Sequence, residues 1–153
     1  MLFIIFRLGQ EQYALEAEHI IEVIPRLPLR PQPGAPDFVA GLLNFRGKVV
    51  PVLDLGTLTV GAACADLLST RIILIHYTLR SGLKRILGLI AESVTDAVKK
   101  EPGQFVTVAS GQAQHLGKIA LDESGMIQCI LPEQLLPQSI ETLLFEETQS
   151  TEA

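Results

Sequence analysis

Apolar and polar residues alternate along most of this chain with a period near two, the spacing of half-buried β-strands. Residues 3–8 (Phe-Ile-Ile-Phe-Arg-Leu) are β-branched or aromatic, Gly9-Gln10-Glu11 turns, and residues 12–16 resume the alternation, which predicts a hairpin. Residues 18–24 predict a helical turn running into a strand. Pro25, Pro28, Pro31, Pro33 and Pro36 follow at short intervals. Each removes a backbone donor, so this stretch reads as an extended connector and not as sheet interior. Residues 37–40 predict one helical turn behind Pro36. Residues 41–55 predict a second hairpin turned at Arg46-Gly47, and residues 55–69 a short helix and a loop. Residues 70–79 (Thr-Arg-Ile-Ile-Leu-Ile-His-Tyr-Thr-Leu) give the strongest strand signal in the chain. Arg80-Ser81-Gly82 turns it, residues 84–91 pair back, and residues 92–98 continue that strand. Gly103 and Gly111 punctuate a loop. Residues 115–121 and 126–131 predict another hairpin, turned at residues 122–125. Short helices are expected over 132–136 and 139–146, before an acidic tail that frays after Thr148.

Nine or ten short strands with few helices argue for barrels or a sandwich. A division near residues 60–69 leaves two strand groups, with the first strand crossing to the second group. At 153 residues the chain has the length of one domain, or of two small barrels sharing a core.

Composition narrows the classes. The hydrophobic fraction is 48% and the mean hydropathy is +0.35, which excludes a disordered chain. Charged residues are only 19%, so some apolar surface is left for a partner. The net charge is −5, with six Phe, two Tyr and no Trp. No basic run exceeds Lys99-Lys100, so the clustered cations and stacking aromatics of a nucleic-acid groove are missing. No stretch reaches the roughly 18 apolar residues of a membrane span, so direct membrane insertion is not expected. The apolar start lacks a cationic flank and reads as a strand, not an export signal. Cys64 and Cys129 make no disulfide framework, which fits a reduced, cytoplasmic setting.

Candidate chemistry is sparse. His19, His76 and His115 show no metal-ligand spacing with each other or with the cysteines, so neither metal nor cofactor is expected. There is no G-x-S-x-G elbow and no glycine pattern for phosphate, so an enzyme is not expected. Asp54 reads either as a catalytic acid or as a helix cap. Arg46 in Asn44-Phe45-Arg46-Gly47 is either a solvated turn residue or a planar donor fork that grips a partner's carboxylate or carbonyl.

The stretches Phe6 through Leu15, Ile20 through Ile24 and Pro36 through Leu55 resemble the CheW-like family of chemotaxis coupling proteins. The pattern G-x-x-N-x-R-G-x-x-x-P-x-x-D-L from Gly41 to Leu55 is the most specific part. The similarity extends over residues 3–136 and has no kinase, receiver or receptor segment appended, as in the free-standing adaptors. The resemblance implies a mainly β fold: two five-stranded SH3-like β-barrel subdomains around a shared core, with short helices at connections and at the C-terminus. One such domain would span residues 1–147, its subdomains meeting near 60–69, with 148–153 a flexible acidic tail. It implies a non-catalytic, cytoplasmic scaffold that couples the cytoplasmic tip of a methyl-accepting chemoreceptor to the regulatory domain of a CheA-type histidine kinase. Carried over by position, the binding residues would be Ile20, Glu22, Arg46, Arg71, Val94 and Ala97. Gly41, Asn44, Gly47, Pro51, Asp54 and Gly88 would be structural: turn conformation, strand edge and cap. The family usually has an apolar residue where Arg71 stands and Asp-Gly where this chain has Glu92-Ser93. Two alternatives stay open: a small-molecule-binding β-barrel, and an adaptor paralogue serving a surface-sensing or pilus array.

Overall fold

A computed structural model describes residues 1–95, 97–108 and 113–146, apart from the side chains of Asp122 and Glu146. The expected tail at 148–153 and Gly111 lie outside the described residues. The chain folds as β1 (Leu2–Leu8), β2 (Glu11–Glu16), a 3-10 turn (Ala17–His19), β3 (Ile20–Pro25), β4 (Val39–Phe45), β5 (Lys48–Asp54) and α1 (Leu55–Val60). It continues with β6 (Arg71–Thr78), β7 (Lys84–Ala91), β8 (Ala97–Lys99), a 3-10 turn (Pro102–Gln104), β9 (Phe105–Val106), β10 (Leu116–Asp122) and β11 (Gly125–Ile130). A 3-10 turn (Pro132–Gln134), α2 (Gln138–Glu141) and a π-helical turn (Thr142–Glu146) close it.

The strands make two sheets. One has six strands in the order β8-β1-β2-β11-β10-β9, the other five in the order β3-β6-β7-β5-β4. The fold is mainly β, as expected. The first sheet gains a sixth strand because the two-residue β9 pairs with β10 and sets Phe105 against Phe3, ring centroids 5.2 Å apart. Strands on both sides of residues 60–69 share the five-stranded sheet, so the sheets do not divide there. Instead β1 and β2 both cross to the later strands, and β2 runs parallel to β11.

Side-chain alternation builds three apolar clusters. Ile24, Leu43, Val50, Val52, Ile72, Leu74 and Ile90 come from all five strands of the second sheet and pack into one cluster. Phe3, Ala14 and Ile127 do the same, on a smaller scale, for the first sheet. Between the two lies the main core, which joins Phe6, Leu8, Tyr13 and Leu15 from the first sheet to Leu53, Ile73, Ile75, Tyr77, Leu87 and Leu89 from the second. Strand β6 therefore has no solvent face over Ile72–Ile75, which is why its sequence is a continuous apolar run and not an alternating one. Each large aliphatic buried this way contributes about 1.5–3 kcal/mol.

Two local expectations fail for physical reasons. Residues 37–40 are not helical: Val39 N–H closes a single turn on the Pro36 carbonyl (3.0 Å), and Val39 then begins β4 opposite Leu53. Residues 92–98 do not extend β7. Ser93 takes a left-handed conformation (φ 48°) and turns the chain toward β1, where Ala97–Lys99 pairs as β8. Just before that turn Glu92 and Arg7 exchange backbone hydrogen bonds (2.7 and 3.1 Å), the link that joins the two sheets. No helix among the described residues is long and apolar enough to cross a membrane.

Candidate interaction surface

The β4–β5 hairpin ends on the pair Phe45–Lys48, with Arg46 and Gly47 alone in the loop. Both have positive φ, 52° and 82°. This is the two-residue turn whose twist matches the strands, and it favours Asn-Gly or Gly-Gly. Asn44 steadies the turn, its Oδ1 accepting from Gly47 N–H at 3.0 Å. Arginine in the left-handed region costs roughly 1–2 kcal/mol.

Arg46 is held outward by two contacts. Its Nη2 donates to Glu22 Oε1 at 2.8 Å, and its guanidinium carbon lies 4.7 Å from the centre of the Phe45 ring. Glu22 is on β3 and Arg46 caps β4, the two edge strands of the five-stranded sheet, so the ion pair spans the seam between those edges. Both side chains face solvent, Arg46 at 70% and Glu22 at 38% exposure. Such a pair contributes about 0.2–1 kcal/mol, and a cation over an aromatic ring at the surface about 0.5–1 kcal/mol. Those gains only offset the backbone cost. Arg46 is therefore not a residue that holds the fold, and its donor fork stays available to a partner.

The other expected contact residues are dispersed. Ile20 lies at the start of β3, a register shift away from Glu22, and packs half-buried on the main core. Arg71 is exposed at the other end of the same strand pair, between Pro25 and Ala91. Ala97 is exposed on β8 in the other sheet. Val94 is corrected: it is buried in the main core at 8% exposure and offers no contact surface, because the Ser93 turn folds it inward.

The expected structural residues have definite places. Asp54 caps α1, its Oδ1 accepting from Thr57 N–H at 3.1 Å, and the same carboxylate accepts from Cys64 N–H at 3.2 Å. Pro51 is not on an edge, since β5 lies between β7 and β4. Leu42, opposite it, directs its amide and carbonyl to Arg30 (2.8 and 2.9 Å), so the missing Pro51 donor costs no bond to β4. Gly41 and Gly88 sit where neighbouring atoms leave no room for a side chain.

Reactive groups are muted. Burial pushes the Cys64 thiol up to about 12 and the Cys129 thiol up to about 11, so both stay protonated at neutral pH. His115 is buried, with Nε2 3.0 Å from Thr59 Oγ1, and burial holds its pKa below the ordinary value. Cysteine and histidine spacings do not point to Glu16, Glu18 and His19, whose ligand atoms nevertheless lie within 4.8 Å of one another around the first 3-10 turn. Burial, then a hydrogen bond with Glu18, raises the Glu16 pKa. The signal was the spacing Glu-x-Glu-His itself, which is too common to single out.

Comparison with known proteins agrees with the architecture. The CheW-like domain family matches residues 2–139. Chemotaxis protein CheW from Rhizobium meliloti is 28% identical over 119 residues, 78% of this chain and 68% of the relative. Chemotaxis protein CheW from Klebsiella aerogenes is 25% identical over 124 residues, 76% of this chain and 72% of the relative. The crystal structure of the scaffolding protein TtCheW from Thermoanaerobacter tengcongensis superimposes with a TM-score of 0.76 at 26% identity, covering 88% of this chain and 90% of that one. With two sheets around a common core and a match along almost its whole length, this chain belongs to the CheW-like domain family.

Proposed function

We propose that this chain is a non-catalytic, cytoplasmic scaffold that couples the cytoplasmic tips of chemoreceptors to the regulatory domain of a CheA-type histidine kinase. The observation that carries the reading is Arg46: an arginine in a strained turn, held outward across the seam between β3 and β4, whose contacts only offset its strain. Strain kept without a stability return is a mark of functional use. A planar donor fork at a rigid hairpin tip suits a carboxylate or a free carbonyl on a partner helix. Family membership and the likeness to a scaffolding protein support the same reading. Coupling then needs only a differential contact free energy, typically about 1–3 kcal/mol, between receptor states.

The test is Arg46→Ala together with Arg46→Asn, which keeps a residue suited to the turn. Both variants are expected to melt within a few degrees of the wild type, since less than about 1 kcal/mol is at stake. Both are expected to lose capture of a receptor-tip fragment or of a kinase regulatory domain in a pull-down. Folded variants that capture both partners as the wild type does would remove Arg46 from the interface.

A further inference from the structure

A cavity of about 380 Å³ opens where the end of β2 meets the start of β10 and the end of β11. Its walls are largely apolar. Phe3 and Phe105 form one side, ring centroids 5.2 Å apart, and Ile130, Leu131 and Pro132 continue it. The volume lies within the range of small-ligand sites, about 300–1,000 Å³, which combine such walls with a few polar groups. Here the charged or titratable side chains are Glu16, His19, Lys118, Cys129 and Glu133. The Cys129 thiol stays neutral, so the two carboxylates, the imidazole and the ammonium set the electrostatics.

These charges do not cancel. Glu16 closes β2 with its side chain only 23% exposed. Burial, then a hydrogen bond with Glu18 and repulsion from Glu18 and Glu133, holds its carboxyl above the ordinary value. Only His19 opposes them, its Nε2 3.5 Å from Glu16 Oε2. Glu133 is exposed on the rim and joins no ion pair with any described residue. Neither carboxylate pairs with Lys118. The ammonium of Met1, also on the rim, donates to the Lys100 carbonyl at 3.1 Å and pairs with neither. A half-desolvated carboxylate at the edge of an apolar cavity is short of a cation. A cation that carries its own apolar body gains on both counts, a charge-assisted hydrogen bond at one end and buried surface at the other.

From this geometry we infer that the cavity is a binding site for a small organic cation, a primary ammonium on an aryl or alkyl body, with its charge at Glu16 and Glu133 and its body against Phe3, Phe105 and Leu131. The aromatic walls suit such a ligand twice, since the face of a ring also attracts a cation. The inference does not depend on the adaptor reading, which assigns nothing to this end of the first sheet.

The test titrates the ¹⁵N-labelled full-length protein at neutral pH with 4-phenylbutylamine, which carries both the ammonium and the ring. The amide signals of Glu16, His19, Phe105, Gly117 and Leu131 are expected to shift together along one saturating curve. 4-Phenylbutanol keeps the body without the charge, and butylamine keeps the charge without the ring. Each should bind at least roughly tenfold more weakly, the scale of one charge-assisted hydrogen bond or one buried ring. The double variant E16Q/E133Q should bind the amine no better than the alcohol, while its affinity for the alcohol stays that of the wild type. Unchanged signals in the second sheet report that the variant is folded; if it is not, E133Q alone, a change on the exposed rim, carries the same comparison. Three results would overturn the inference: shifts that grow linearly to the highest amine concentration, equal affinities of the wild type for the amine and the alcohol or for the amine and butylamine, and an amine affinity that the folded variant leaves unmoved.

Discussion

Glycine at positions 41 and 88 answers two different obstacles. At Gly41 the backbone has φ 148°, and an added Cβ would lie 2.5 Å from the Arg30 carbonyl oxygen. That carbonyl is fixed, because it accepts from Leu42 N–H while Arg30 N–H donates back. At Gly88 the Cβ would meet methyl groups, Val52 Cγ2 at 2.9 Å and Ile72 Cγ2 at 3.1 Å. Methyl groups can shift at the usual overpacking cost of about 1–3 kcal/mol; a hydrogen-bonded carbonyl cannot without losing the bridge. Gly41→Ala is therefore expected to destabilise more than Gly88→Ala, by at least about 1 kcal/mol in urea unfolding midpoints converted with a common slope. The reverse order would contradict the geometry. In the sequence Gly41 stood out only through its place in a family pattern. Nothing local announces that Arg30, eleven positions back, has paired with β4 and taken the space.

At the scale of elements, legibility follows sequence separation. The hairpins were readable because turn chemistry and alternation act over a few residues, and the Asp54 cap because its acceptor lies three residues from its donor. The Cys64 bond to the same carboxylate closes a loop of ten residues and was not readable. Nor was the contact between Thr59 on α1 and His115 ahead of β10, 56 residues apart. The burial of His115 beside it sets a pH response. Burial holds the His115 pKa in the folded state below its ordinary value of 6.5. The unfolded chain then binds the proton more readily than the folded one, so protonation favours unfolding. This contribution is present above about pH 6.5 and is lost as pH falls through that value toward the folded pKa. His115→Gln keeps a polar group near Thr59 but cannot titrate. It should show a flatter dependence of unfolding free energy on pH between about 7.5 and 5.5 than the wild type. Parallel curves for the two proteins would show that His115 does not titrate between the two states.

The whole molecule is held by strands with two buried faces, and its C-terminal segment is tied to them by one polar cluster. Alternation and the family pattern pointed to the strands, the shared core and the crossing of the first strand to the later ones, but not to β2 joining it there, because parallel pairing of β2 with β11 leaves no local trace. The cluster was equally silent. Glu141 on α2 is buried, and its carboxylate accepts from Tyr77 Oη–H on β6 (3.1 Å), from Arg80 N–H (3.2 Å) and from Arg80 Nη1 (2.9 Å). Arg80 Nη2 also donates to the Leu136 carbonyl at 3.2 Å, and Phe145 stacks on Tyr77 with ring centroids 5.9 Å apart. Burial, followed by the bond to Glu141, pushes the Tyr77 phenol up to about 12, so it remains a donor at every physiological pH. The two ends of the ion pair are unequal: Arg80 is half exposed, whereas the Glu141 side chain is 11% exposed. Removing the cation leaves a buried anion without its charged donor, with only Tyr77 and the backbone N–H of residue 80 still bonded to it. Removing the anion's charge leaves a cation that water can reach. Arg80→Ala should therefore cost about 2–3 kcal/mol. Glu141→Gln, which can still accept from Tyr77, should cost no more than about 1–1.5 kcal/mol. Thermal unfolding of the two variants at neutral pH decides the matter. If Glu141→Gln proves the more damaging, the cluster works through the carboxylate's charge on Tyr77 and not through compensation of a buried anion.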